Sequence, residues 1–157
     1  MWPGQQTSKK KQPIITKTKG NKMTSKIVYD GDLRTTCTHM KSGQSFITDA
    51  PTDNNGKGEA FSPTDLTATS LGTCMITVMG ISARNHEINI DGAYLEITKH
   101  MAAEPRRISG IDVKLYMPNH VYTERQKSIL EKAGLTCPVA FSLHPDIKQN
   151  IEFVWVD

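Results

Sequence analysis

At 157 residues, with 37% hydrophobic residues and 11 glycines, the chain is long enough to bury one core without disulfide or metal support, and its composition excludes collagenous and coiled-coil classes. No window approaches the ~18 consecutive apolar residues expected of a membrane-spanning helix. The formal net charge of +3 is a poor guide to partners, because residues 1–29 hold seven lysines and no acid, leaving 12 basic and 16 acidic groups in residues 30–157. Neither nucleic acid nor a membrane is therefore expected as a partner.

Residues 1–22 are rich in Lys, Gln, Thr, Gly and Pro, with Ile14–Ile15 as the one apolar pair. That is too little hydrophobic content to offset chain entropy, so the segment reads as a disordered basic tail and residues 23–157 as a single domain. The tail has neither the apolar stretch of a signal peptide nor the arginine-rich pattern of a transit peptide. A cytoplasmic location, where structural disulfides are rare, is the expectation.

From Lys26 the text reads as a β meander: Lys26–Tyr29, a turn at Asp30–Asp32, Leu33–Met40, a turn at Lys41–Gly43, and Gln44–Asp49. Thr, Val, Ile and Tyr between glycine turns give that pattern. Ala50–Gly58 is a loop leading to a well-marked helix start, Ser62-Pro63-Thr64-Asp65, with a capping serine, proline at the first position and an acid at the third. This helix is expected to run to about Asn85. Only Asp65 is charged between Pro63 and Ser82, so it should be central and largely buried.

Ile88–His100 and Ile108–Met117 alternate apolar and polar residues and make a hairpin with one covered face. Arg106 and Arg107 between them read as a solvated turn or as an attractor for an anionic substrate. Thr123 with Gln126 forms a capping box opening a second helix through Ile129, Leu130 and Ala133, closed by Gly134. Cys137-Pro138 begins a short third helix to Leu143, and Ile147–Val156 is the last strand. The class is α+β.

Three cysteines, Cys37, Cys74 and Cys137, are too far apart for a zinc ribbon or a thioredoxin-type motif. The five histidines show no ligand spacing, and Gly56-Lys57-Gly58 is not a phosphate cradle; no metal and no cofactor is expected. Taken alone, Cys74 is either a small packing residue in a buried helix or a nucleophile. Cys137 is either a capping residue or a thiol activated by a helix N-terminus.

The run Phe61-Ser62-Pro63-Thr64-Asp65-Leu66, continued by Ala68-Thr69-Ser70-Leu71-Gly72-Thr73-Cys74-Met75 and followed 63 residues after Cys74 by Cys137-Pro138, resembles the OsmC/Ohr family of osmotically induced and organic-hydroperoxide-resistance proteins. The resemblance covers about residues 25–157. It implies an intertwined homodimer with a long central helix on a curved antiparallel sheet. The implied activity is a thiol-dependent peroxidase for organic hydroperoxides, with Cys74 as peroxidatic nucleophile and Cys137 as resolving thiol. The implied reductant is a dithiol, a lipoylated protein or a thioredoxin-like protein.

Family members also place an arginine from the N-terminal strands beside the nucleophile, and Arg34 is the only arginine before the helix. Physics agrees that a cation is needed: Cys74 lies three turns into the helix, beyond the reach of the dipole, and burial opposes thiol ionisation. A family glutamate ten residues before the nucleophile is replaced here by Thr64. Asp65 lies on a different side of the helix from residue 64, so Asp65 and the loop residue Glu59 are both candidates to orient the guanidinium. Met75, Met79, Phe61 and Leu66 are expected to supply an apolar pocket. The alternative reading, from a different class, is a stress-associated dimer that binds an apolar ligand or senses redox state with little or no turnover.

Overall fold

A computed structural model describes residues 22–156; all of the expected basic tail except Lys22 lies outside them. Six strands and three helices follow one another as β1 (Ser25–Gly31), β2 (Arg34–His39), β3 (Ser45–Asp49), α1 (Pro63–Asn85), β4 (Tyr94–Ala103), β5 (Arg106–Tyr116), α2 (Glu124–Leu135), α3 (Pro138–Ser142) and β6 (Lys148–Val154). The α+β class and the long helix are as the sequence implies. The strands, however, form two three-stranded sheets, β1-β2-β3 and β4-β5-β6.

The first sheet is an antiparallel meander whose register follows from the turn at residues 40–43: His39 N–H donates to the Gln44 carbonyl at 2.8 Å, and Arg34 consequently sits opposite Asp49. In the second sheet β4 and β5 are antiparallel, whereas β6 lies parallel to β5. The connections explain the difference. Only Glu104–Pro105 joins β4 to β5, whereas α2 and α3 intervene before β6, a crossover of the length that parallel pairing demands.

The capping box at the start of α1 forms as expected: Asp65 N–H donates to Ser62 Oγ at 3.1 Å and Ser62 N–H to Asp65 Oδ2 at 2.8 Å. The box at Thr123 and Gln126 is also present. By length and mean hydropathy α1 could cross a membrane, but its contacts place it in the core. Ala68, Leu71, Gly72, Met75, Met79 and Ala83 recur every three or four residues and are buried, packing against β4, β5, α2 and α3. This stripe meets Ile111, Val113 and Leu115 of β5, all at most 1% exposed, and Leu130 of α2.

Within one chain the helix is less enclosed than its composition implies. Thr67, Thr73, Thr77 and Ile81 are exposed along its other side, where the threonine hydroxyls of Thr67, Thr73 and Thr77 bond back to carbonyls of the preceding turn. The N-terminal sheet is also open, with Ile27, Tyr29 and Phe46 each more than half exposed.

Candidate active site

Cys74 is half-buried on α1, and Cys137 is fully buried at the N-cap of α3. The two belong to one apolar cluster with Ala68, Leu71 and Met75. Burial pushes the Cys137 thiol up; the Ala140 N–H, donating to its Sγ at 3.4 Å, opposes this, and the neighbouring Cys74 adds to the rise. The expected activation of Cys137 by its helix N-terminus is therefore outweighed. A five-residue helix has little dipole, and the surrounding apolar atoms cannot solvate a thiolate. Cys37 lies elsewhere, on β2 opposite Phe46 and Ile27.

Arg34 is half-buried at the start of β2 and carries two carboxylates. Its Nε donates to Asp49 Oδ1 at 2.6 Å, and its Nη2 donates to Asp49 Oδ2 and to Glu59 Oε2, both at 2.7 Å. The hydrogen bonds to Asp49 and then to Glu59 raise the guanidinium pKa still further above its ordinary value, so Arg34 is charged at every working pH. The Arg34 bond holds Asp49 below the usual carboxylate range against the opposing effect of burial. Of the two orienting candidates, Glu59 thus reaches Arg34 and Asp65 does not.

Asp65 instead accepts from Lys99 Nζ at 2.7 Å, and the same ammonium donates to Thr64 Oγ1 at 2.8 Å. Burial would raise the Asp65 carboxyl, but the bonds from Lys99 and Ser62 outweigh it and hold it low. Glu59, Phe61, Asp65, Ala68, Ile97 and Lys99 help to line a cavity of about 440 Å³ beside the first half of α1. Phe61 is 56% exposed at its edge. Met75 and Met79 are not pocket residues: both are within 1% of complete burial, because they point into the seam between α1 and the second sheet. Arg106 and Arg107 make surface ion pairs with Asp53 and Asp146 at 3.1 and 3.3 Å.

Asp49 and Lys99 were missed by sequence reasoning. Asp49 had a signal, since a turn centred between Lys41 and Ser42 places positions 34 and 49 opposite each other. Lys99 had none. Within the chain no hydrogen bond among the described residues joins Arg34 to either thiol.

The model of the OsmC-like protein family matches residues 56–152, a span that contains both thiols, Glu59 and Asp65. Among solved structures, a Psychrobacter arcticus protein assigned provisionally to osmotic stress induction and detoxification response is 50% identical, with 86% of this chain and 98% of that chain covered and a TM-score of 0.82. The organic hydroperoxide resistance protein OsmC of Legionella pneumophila shares the fold at 14% identity, with 87% and 100% covered and a TM-score of 0.68. The organic hydroperoxide resistance protein OhrB of Bacillus subtilis does so at 16% identity, with 84% and 98% covered and a TM-score of 0.58. No curated protein sequence matches the chain.

Proposed function

The chain belongs to the OsmC-like protein family, and we propose that it is a thiol-dependent peroxidase that reduces organic hydroperoxides through a Cys74–Cys137 cycle. The observation that carries this reading is that two cysteines from helices far apart in sequence pack into one apolar cluster, one half-buried and the other fully enclosed. Burial opposes ionisation of Cys137, and Cys74 is the more exposed of the two and so the one a peroxide can reach.

In the proposed cycle the Cys74 thiolate attacks the distal peroxide oxygen. An S–O bond forms, the O–O bond breaks, and the alkoxide leaves as alcohol after taking a proton. Cys137 then displaces water from the Cys74 sulfenic acid to give a disulfide, and an external dithiol, lipoylated or thioredoxin-like reductant reopens it by two exchanges.

Arg34 supplies the cation in this reading, reaching Cys74 from a second copy of the chain. Two features support an intertwined dimer: the open side of α1, uncharged from Thr67 to Ile81, and the exposed apolar residues of the N-terminal sheet. Neither finds enough apolar cover within its own chain, and contiguous apolar surface of this kind marks an interaction site.

The test is turnover of cumene hydroperoxide with dithiothreitol or dihydrolipoamide, comparing wild type with Cys74→Ser. Turnover is expected to vanish in the variant. In the wild type, one equivalent of peroxide should produce a Cys74–Cys137 peptide by mass spectrometry. Undiminished turnover in Cys74→Ser, or a dominant linkage through Cys37, would refute the mechanism. A redox-sensing dimer would give the disulfide with little turnover, the outcome that the replacement of the family glutamate by Thr64 would favour.

A further inference from the structure

The two carboxylates on Arg34 differ in every physical respect that bears on what they can do. Asp49 is 2% exposed and fills the side-on edge of the guanidinium, Nε with Nη2. Its own backbone is held on both sides, Asp49 N–H donating to the Phe61 carbonyl at 3.2 Å and Ala50 N–H to the Leu33 carbonyl at 3.1 Å. The Glu59 N–H also donates to Asp49 Oδ2, at 3.1 Å. Glu59, by contrast, has a side chain 62% exposed and makes one bond, to Nη2. Nη1 has no protein partner among the described residues.

These contacts have an electrostatic consequence. With both carboxylates in place, the Arg34 group carries one net negative charge and half of its end-on edge is covered, which is a poor receptor for an anion. With Glu59 removed, it is a neutral pair whose Nη1 and Nη2 protons face outward in a planar fork, the geometry that binds an anionic oxygen or sulfur. Glu59 can leave readily because its carboxylate returns to water. Asp49 cannot leave without stranding a buried charge.

We propose that Asp49 is the positioning residue that aims Arg34, and that Glu59 is an exchangeable occupant which must yield its place on Nη2 to the reacting thiolate or peroxide. This rests on the reading above, in which Arg34 serves Cys74. It gives two carboxylates bonded to one guanidinium effects of opposite sign on the same rate.

The test follows alkylation of the Cys74 peptide by mass spectrometry at fixed pH, with neutral iodoacetamide and anionic iodoacetate, in full-length protein whose dimer mass and melting are checked. Asp49→Asn should slow alkylation by both reagents by about tenfold or more, as expected when a donor is no longer held in place. Glu59→Gln should speed it severalfold, with the larger gain for iodoacetate, since a negative charge is lost. A structural role for both carboxylates would slow both variants or neither, and would leave the ratio of the two reagents unchanged.

Because Glu59 is exposed, Glu59→Gln decides the matter even if Asp49→Asn does not fold: a rate at or below wild type overturns the proposal. Arg34→Ala separates the two levels of inference. If Arg34→Ala leaves alkylation unchanged, the assignment of Arg34 itself falls. If Arg34→Ala is slow while a folded Asp49→Asn matches wild type, only the role of Asp49 falls.

Discussion

At Gly72 α1 packs closely on Ile97 and Leu95 of the second sheet, and replacing it by alanine sets two effects of known size against each other. A Cβ at this position would lie 2.6 Å from Ile97 Cδ1, 3.3 Å from Ile97 Cγ1 and 3.5 Å from Leu95 Cδ2. The first distance is about 1 Å inside the optimum for two carbon atoms. In an exposed helix interior, Gly→Ala would stabilise by about 1 kcal/mol. Overpacking of a tight core costs roughly 1–3 kcal/mol, so the net expectation is a destabilisation of about 1 kcal/mol, or a melting temperature lower by about 2–4 °C in a chain of this size. The group in the way is a single terminal methyl. Ile97→Val removes it, at its own cost of about 0.5–1.5 kcal/mol, and the double variant should therefore be more stable than the sum of the two singles by about 1 kcal/mol. A double-mutant cycle from thermal or urea unfolding measures this coupling. If Gly72→Ala raises the melting temperature, or if the two changes add without coupling, the glycine is not there to admit β4 and the account of how α1 seats on the sheet is wrong.

Three further outcomes are expected. Leu130→Ala, at a fully buried site in α2, should cost about 2–5 kcal/mol, whereas Val121→Ala, at 99% exposure, should stay within about 0.5 kcal/mol; urea titrations compare them directly. Phe46→Lys should convert the proposed dimer into a species near 17.4 kDa by sedimentation equilibrium without unfolding β3, because Phe46 is half exposed in the single chain. Asp65→Asn should lower the melting temperature at pH 7, and the difference should shrink as pH falls below about 4. The folded carboxyl is held low by Lys99 and Ser62, so its contribution is complete above the unfolded value and disappears as pH drops through the folded one. A difference between Asp65→Asn and wild type that stays constant down to pH 2 would contradict this assignment.

What could be read from the sequence was whatever depends on near neighbours. Ser62 with Asp65, and Thr123 with Gln126, are capping pairs three residues apart, and both form. The ends of α1 were likewise legible, at Pro63 and Asn85. The division of the strands into two sheets was not, because alternation reports which face of a strand is covered and not which strand lies beside it. The two methionines were placed in a pocket for a related reason: helical spacing puts Met75 and Met79 on one stripe, but only the packed sheet reveals that the stripe is core. The pairing of Cys74 with Cys137 comes from resemblance, since a separation of 63 residues carries no geometric information. Lys99 contacts residues 34 to 37 positions earlier, and no local pattern foretells such a contact.

The parallel strand at the end of the chain bears on when the thiol pair comes into being. Cys137 enters the cluster that holds Cys74 only by way of the crossover between β5 and β6, and α3 is fastened to the last strand by Gln149 Nε2 donating to the Ala140 carbonyl at 3.0 Å. During synthesis, then, Cys74 is complete on its helix while the element that delivers its partner still awaits a strand registered 38 residues downstream, Gly110 against Lys148. Long-range parallel pairing of this kind is slow to form. In a nascent chain Cys74 therefore emerges before Cys137, and a clip that removes the final strand takes away both the Gln149 bond that fastens α3 and the strand beside Ile111.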